Sequence, residues 1–210
     1  MQTAFILNAA LAVNQAILTH EPEIESLDRE IGDGDHFINM KRGCATVVGM
    51  QDELAGLPPD MALQKIGMKL LSTIGGASGP LIASFFMAMG KAVKEQPQQS
   101  LTDIAAAFAA GVAAIQLRGK AEVGEKTMLD VLIPVARAFT QLSQSGAGRS
   151  ELLAALKREA EAGMRSTRDM IATKGRAAFL GERAIGHIDP GAKTSQLILC
   201  TVCDLALQDH

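Results

Sequence analysis

Residues 27 to 40 read LDREIGDGDHFINM and place Asp28, Asp33 and Asp35 in one short stretch that ends in His36. Carboxylates crowded together raise one another's pKa, so the cluster resists ionising unless a cation or a set of donors sits among them. Their spacing keeps the three off a single regular helix face, whereas a loop can fold them around a hard cation. Oxygen-only ligands favour Mg²⁺ or Ca²⁺ over zinc. The calcium-loop pattern fails, because Phe37 falls at the third ligand position counted from Asp33, so Mg²⁺ is the expected ion. The competing reading makes these carboxylates helix caps, with Asp35 capping the helix that follows. His36 has three open roles: general base, phosphate contact, or a group that orients an aspartate. Phosphate contact is preferred, since nothing nearby resembles an acceptor pocket.

Three further stretches carry unusual composition. IGGASGP at 74 to 80 puts two glycines, Ala77, Ser78 and Gly79 directly before an apolar helix. Glycines let backbone approach closely, and a helix N-terminus presents unpaired N–H groups to an anion. The stretch is not the GxxxxGK[ST] loop, and Gly-Gly also simply ends helices. GRAAFLGERAIGHIDPGA at 175 to 192 holds Arg176, Arg183, His187 and Asp189, with Pro190 and Gly191 at the next helix start. An arginine beside bound phosphates spreads developing negative charge; the plainer alternative is a long loop held by surface ion pairs. GKAEVGEKT at 119 to 127 carries Lys120, Glu122, Glu125 and Lys126, charges expected on a solvated surface, and is bordered by Gly119 and Met128. Carboxylates for Mg²⁺, a Gly-rich cradle and an arginine together suit a nucleotide di- or triphosphate. Phosphoryl transfer asks a protein mainly for positioning and charge stabilisation.

The elements must bring these stretches to one place. Apolar residues recur at three- and four-residue spacing almost throughout, which predicts an all-α fold. Breakers divide the chain into eight expected helices, over approximately 3–27, 37–55, 60–73, 80–95, 101–118, 128–144, 150–174 and 192–208, with Pro22 marking a break near the end of the first. GLPPD, QPQQS and SGAGRS are ordinary linkers, short enough to force their helices antiparallel. The four unusual stretches are the first, third, fifth and seventh connections. In an eight-helix antiparallel up-and-down bundle or barrel they emerge at the same end, so the chemistry converges on one rim.

Composition narrows the rest. A chain of 210 residues, 48% hydrophobic, suits one domain over 1–210 with a sizeable core. A net charge of -3 and no basic run argue against nucleic acid, and the absence of Trp and Tyr removes most stacking platforms. The first twenty residues are apolar but lack a cationic start and contain Asn8, Asn14 and Gln15, so they read as a helix rather than a signal peptide. No apolar run was expected to approach the roughly twenty residues that cross a bilayer, which argues against a membrane partner. Three cysteines fit a reducing, cytoplasmic setting. Cys200 and Cys203 read as small core residues, not zinc ligands.

LDREIGDGDHFINM, IGGASGP, GKAEVGEKTMLD and GERAIGHIDPGA closely resemble the nucleotide-binding L subunit of bacterial dihydroxyacetone kinases, over nearly the whole chain. The resemblance implies an antiparallel eight-helix barrel that holds ADP or ATP with two Mg²⁺ ions at one end. It also implies a partner K subunit that carries the ketose on its histidine, with the γ-phosphoryl passing across the interface. In one branch ADP stays bound and is recharged by a phosphohistidine on an M subunit of the phosphotransferase system; in another, ATP exchanges freely. By the same resemblance Asp28, Asp33 and Asp35 are the Mg²⁺ ligands, and His36, Phe37, Ile38 and Asn39 touch the phosphates, as do Ala77 and Ser78. Gly119 and Met128 lie by the adenosine, while Arg176, Asp189, Pro190 and Gly191 complete the pocket. Arg176 and His36 are then the candidate catalytic side chains.

Two departures from the family pattern stand out. Phe37 replaces a usual glycine and is expected to crowd the phosphate edge or rotate His36, and Glu125 stands where aspartate is common. Alternatives are an ATP-exchanging kinase subunit for another ketose such as erythrulose, or a nucleotide-loaded protein that regulates a transcription factor. The similar domain of fatty-acid kinases commonly has threonine where His36 stands.

Overall fold

Runs of Ala, Leu, Ile and Met with apolar residues every third or fourth position bury one stripe of a helix and leave the other wet. The computed structural model describes residues 2–96 and 100–208, and among them there is no strand. The helices are α1 (Thr3–Thr19), α2 (Glu21–Ile31), α3 (His36–Val48), α4 (Gln51–Leu54), α5 (Pro59–Thr73), α6 (Ser78–Glu95), α7 (Leu101–Gly119), α8 (Leu129–Ser145), α9 (Arg149–Ser166) and α10 (Pro190–Gln208). Two 3₁₀ segments, Thr167–Asp169 and Arg176–Ala184, lie between α9 and α10.

Among the described residues the expected eight helices become ten, through the added breaks that set off α2 and the four-residue α4. The first expected helix breaks at His20, and Pro22 sits in the first turn of α2, where its missing N–H costs nothing. The second parts at Gly49 and Met50 into α3 and the four-residue α4. The seventh does not reach 174: α9 ends at Ser166. There the Thr167 carbonyl accepts a hydrogen bond from Lys126 and the Thr167 hydroxyl accepts the amide of Asp189, so the next turn is spent on other elements. The expected linker QPQQS falls largely outside the described residues.

The long helices close on themselves. α5 to α10 each pack on the next in chain order, α10 packs on α1, α1 on α3, and α3 on α5. α2 lies apart from that ring and touches α3, α10 and the 3₁₀ segment that starts at Arg176. Ile66, Leu70 and Ile74 fill one part of the interior with Leu54 and Ile6, while Val131 and Val135 pack on Leu152 and Leu156 in another. α7 is, by length and composition, apolar enough to cross a membrane, contrary to the expectation that no run approached that limit. It packs between α6 and α8 and buries Ala105, Ala107, Gly111, Val112 and Ile115.

Close helix approach sets the site's supports. A Cβ on Gly163 of α9 would collide with the carbonyl oxygen of Asp130 and lie 3.0 Å from the Val131 Cα. Backbone cannot move aside as a flexible side chain can. Helix propensity alone would make Gly163→Ala stabilising by about 1 kcal/mol. Overpacking should outweigh it and leave a net loss of about 1–3 kcal/mol, read as a lower urea midpoint; a higher midpoint would show that α8 and α9 separate freely.

Candidate functional site

The last turn of α2 supplies Asp28, and the loop to α3 supplies Asp33 and Asp35. One carboxylate oxygen from each lies within 4.8 Å of the others. The local sequence explains how so tight a group forms. A Cβ at position 32 would strike the Asp28 carboxylate, so only Gly32 lets the chain turn around it. Gly34 follows with φ 79°, a left-handed conformation that costs glycine little. Asp28 is 3% exposed, and its Oδ2 accepts the His36 amide at 2.9 Å. Asp33 receives the Arg176 guanidinium, Nε to Oδ2 at 2.8 Å. The Asp35 carboxyl titrates above its ordinary range, through desolvation first and then the charge of Asp33, with an Asn39 hydrogen bond opposing. Asp35 occupies the N-cap position of α3 but makes no side-chain cap. The helix-cap reading therefore fails for Asp35, while Asp28 takes the first amide of α3.

The four unusual connections form a closed circuit at one end of the ring. Asn39, buried in the first turn of α3, accepts the Gly75 amide at 3.3 Å, and a Cβ on Gly76 would lie 3.9 Å from Asp35 Oδ2. This puts the Gly-rich turn beside the aspartates. That turn leads into α6, whose Ser78 hydroxyl donates back to Gly75 O at 3.2 Å; Ala77 is exposed at the N-cap and caps nothing. A Cβ on Gly119 would lie 3.3 Å from Leu81 of α6, and one on Gly191 3.7 Å from Met128. Pro190 and Gly191 are buried at the start of α10. Asp189 Oδ2 accepts the Ala192 amide at 2.7 Å and caps that helix. Arg176 returns the circuit to Asp33.

One expectation for the first turn of α3 changes. Phe37 is 2% exposed and packs inward with Ile17, Ile24, Met40 and Leu197; its ring does not crowd the rim. Only Ile38, 53% exposed, presents a side chain outward there. The His36 ring also has a partner within the protein. Its amide is held by Asp28, and Nε2 lies 3.1 Å from Thr194 Oγ1. That hydroxyl donates to Gly191 O, so it accepts from His36, which assigns the proton to Nε2. Burial lowers the pKa of His36, against the pull of Asp28 and Asp35. The neutral ring then keeps only an Nδ1 lone pair, an acceptor.

The fifth connection holds what sequence reasoning missed. Lys126, expected on a solvated surface, is 1% exposed, and its ammonium donates to Thr167 O and His187 O. Asp130, also buried, folds the loop from beneath by accepting the amides of Gly124 and Thr127. The signal was present: Thr127-x-x-Asp130 matches the pattern that marks an acidic residue turned back onto a helix start. Glu125 accepts the Glu122 amide at 2.6 Å and the Thr173 hydroxyl at 2.6 Å, the latter across to the segment after α9. Arg183, by contrast, stays on the surface and donates within its own turn.

Comparison with known proteins follows the same outline. The model of the DAK2 domain matches residues 30–204. The chain is 40% identical over 206 residues to "PEP-dependent dihydroxyacetone kinase 2, ADP-binding subunit DhaL" of Listeria innocua, covering 97% of this chain and 95% of that one. It is 39% identical over 204 residues to the "PEP-dependent dihydroxyacetone kinase, ADP-binding subunit DhaL" of Escherichia coli, covering 97% of each. A relative from Lactococcus lactis, 39% identical over 91% of this chain and 92% of its own, is named as the ADP-binding subunit of a PTS-dependent dihydroxyacetone kinase. A solved structure, the dihydroxyacetone kinase from C. freundii in complex with AMP-PNP and Mg2+, superposes with a TM-score of 0.74 at 24% identity. The likeness covers 96% of this chain and 34% of that one, and it is a likeness of fold.

Burial raises the Asp189 carboxyl from 3.8 to about 7, with the Ala192 amide and then Lys126 pulling the other way. A group whose pKa is raised on folding adds stability below its unfolded pKa and loses it as pH rises through the folded one. Unfolding free energy should therefore fall between pH 3.8 and about 7 by a component that Asp189→Asn abolishes while keeping an oxygen to cap α10. Denaturation curves across that range check this; parallel pH profiles for the two proteins would contradict it.

Proposed function

Because the chain belongs to the DAK2 domain family, we propose that residues 1–210 form the ADP-binding subunit of a dihydroxyacetone kinase, a phosphotransferase acting on an alcohol group. The observation that carries the reading is the trio of carboxylates within 4.8 Å, beside a Gly-rich turn and the start of α6. An all-oxygen donor set of that size fits Mg²⁺ and, since magnesium usually keeps waters and shares its shell with substrate phosphates, fits a magnesium nucleotide. Relatives named as ADP-binding subunits at 39–40% identity along almost their whole length support it.

In this reading Asp28, Asp33 and Asp35 hold the magnesium, with two ions as the finer expectation. The amide groups from Ala77 and Ser78 at the start of α6 meet the phosphates, as does the first turn of α3 around Ile38 and Asn39. Gly119 and Met128, with Asp189, Pro190 and Gly191, wall the adenosine side. When bound, a magnesium nucleotide would supply the phosphoryl group, and its magnesium would offset much of the phosphate charge. Arg176, now on Asp33 and largely exposed, is within reach of the same rim and stabilises negative charge that develops during transfer. Phe37 contributes its backbone alone, and His36 holds Asp28 through its amide.

The names of the relatives point to the phosphoryl source and the missing half. Names that read PEP-dependent or PTS-dependent support a phosphohistidine carrier that recharges bound ADP. A name that specifies an ADP-binding subunit supports a second subunit that presents the ketose. All three cysteines are unpaired, which suits the cytoplasm.

Purified chain mixed with the ketose-binding subunit, dihydroxyacetone and phosphorylated carrier should transfer phosphate; turnover with ATP alone and none with the carrier would overturn the proposed donor. Asp33→Asn should weaken Mg²⁺ and ADP binding together, roughly tenfold or more, which is about 1.4 kcal/mol. Unchanged ADP affinity in calorimetry would count against the carboxylate assignment. Arg176→Ala should lower turnover in the saturated complex more than it lowers ADP affinity; the reverse pattern would move Arg176 from transfer to binding.

A further inference from the structure

We propose that Lys126 is a positioning residue: its buried ammonium ties the loop after α7 to the turn that begins α10, and that turn orients His36 through Thr194. The functional sense of this rests on the nucleotide-site reading above; the geometry does not.

A lysine 1% exposed is uncommon, since a buried charge is retained only where it is paired and hydrogen-bonded. Lys126 donates to two carbonyls on separate elements, Thr167 where α9 has ended and His187 in the approach to α10. An apolar side chain would take the lysine donor from the His187 carbonyl and leave Thr167 O with only the Met170 amide at 3.3 Å. Burial lowers the pKa of its ammonium, and the charges of Asp189, Asp169 and Asp130 pull the other way. Its backbone has φ 60°, a region where glycine is the easy choice, so this position keeps a side chain at the expense of an easier turn.

The contacts run on without a gap. The Asp189 amide donates to Thr167 Oγ1 at 3.1 Å, and Asp189 Oδ2 takes the Ala192 amide at 2.7 Å. One turn into α10 the Thr194 hydroxyl donates to Gly191 O at 3.1 Å and accepts from His36 Nε2 at 3.1 Å. His36 in turn gives its amide to Asp28. Lys126 thus acts at one remove from the site: it places the start of α10, and the start of α10 fixes which nitrogen of His36 carries the proton. A lysine that served only stability would leave that tautomer alone.

The test reads the tautomer of His36 by side-chain ¹⁵N NMR of the full chain at one fixed pH, with the signal assigned by its loss in His36→Gln. Wild type should show a protonated Nε2 and a bare Nδ1. Lys126→Met should replace that pattern with exchange-averaged nitrogens, and Thr194→Val should do the same without disturbing the lysine pocket. If Lys126→Met does not fold, the double variant with Asp189→Asn removes the carboxylate left unpaired and carries the same measurement. His36 nitrogens unchanged in folded Lys126→Met or its double, whatever their melting temperature, would overturn the proposal; so would an unchanged tautomer in Thr194→Val. ADP–Mg²⁺ affinity is measured alongside, with a loss of roughly tenfold expected in Lys126→Met. Wild type that binds no ADP–Mg²⁺ while His36 responds to Lys126→Met would reject the nucleotide reading and keep the relay.

Discussion

Mutual repulsion among three carboxylates is the constraint around which this protein is arranged. Asp28, Asp33 and Asp35 meet within 4.8 Å, where their charges oppose one another and folding must hold them regardless. The protein offsets that strain piecemeal: an amide from His36 on Asp28, a guanidinium on Asp33, and a raised pKa that favours the protonated form of Asp35. None of these needs a nucleotide. Each leaves carboxylate oxygens that a small hard cation can take, so the cluster is a cost to the fold that a ligand can recover.

Holding the cluster requires that distant parts of the chain meet. α2 is displaced from the ring of long helices and touches both α10 and the 3₁₀ segment of Arg176, which carries Asp28 to the end where the other connections gather. The connections then brace one another in sequence. Asn39 takes the Gly75 amide, Leu81 meets Gly119, Lys126 grips the turn before α10, and Arg176 comes back to Asp33. A rim built as a closed circuit resists local opening better than four independent loops would, which suits groups that must hold their geometry while charge moves.

Helical periodicity made the all-α fold legible, and the order of the connections placed the aspartates, the Gly-rich turn and Arg176 at one end. What stayed hidden depends on contacts between segments far apart in sequence. Phe37 looked like a residue of the rim because it follows His36, yet its side chain falls on the inner face of α3 among Ile17, Ile24 and Leu197. Lys126 looked solvated because its neighbours are charged; two carbonyls more than forty residues away bury it. α9 overran its true end in the sequence reading for the same reason, since Thr167 gives its carbonyl to that lysine. The break at His20 was foreshadowed by Pro22, but a short α4 after Gly49 had no comparable marker.

The account turns on magnesium held by Asp28, Asp33 and Asp35 next to the phosphates of an adenine nucleotide. Crystals grown with ADP and Mn²⁺ in place of Mg²⁺, measured for anomalous scattering, test that most directly. The account predicts manganese bound to oxygens of all three aspartates, with the diphosphate between it and the start of α6. Manganese and nucleotide ordered elsewhere on the molecule, with those aspartates left to Arg176 and the His36 amide, would contradict it.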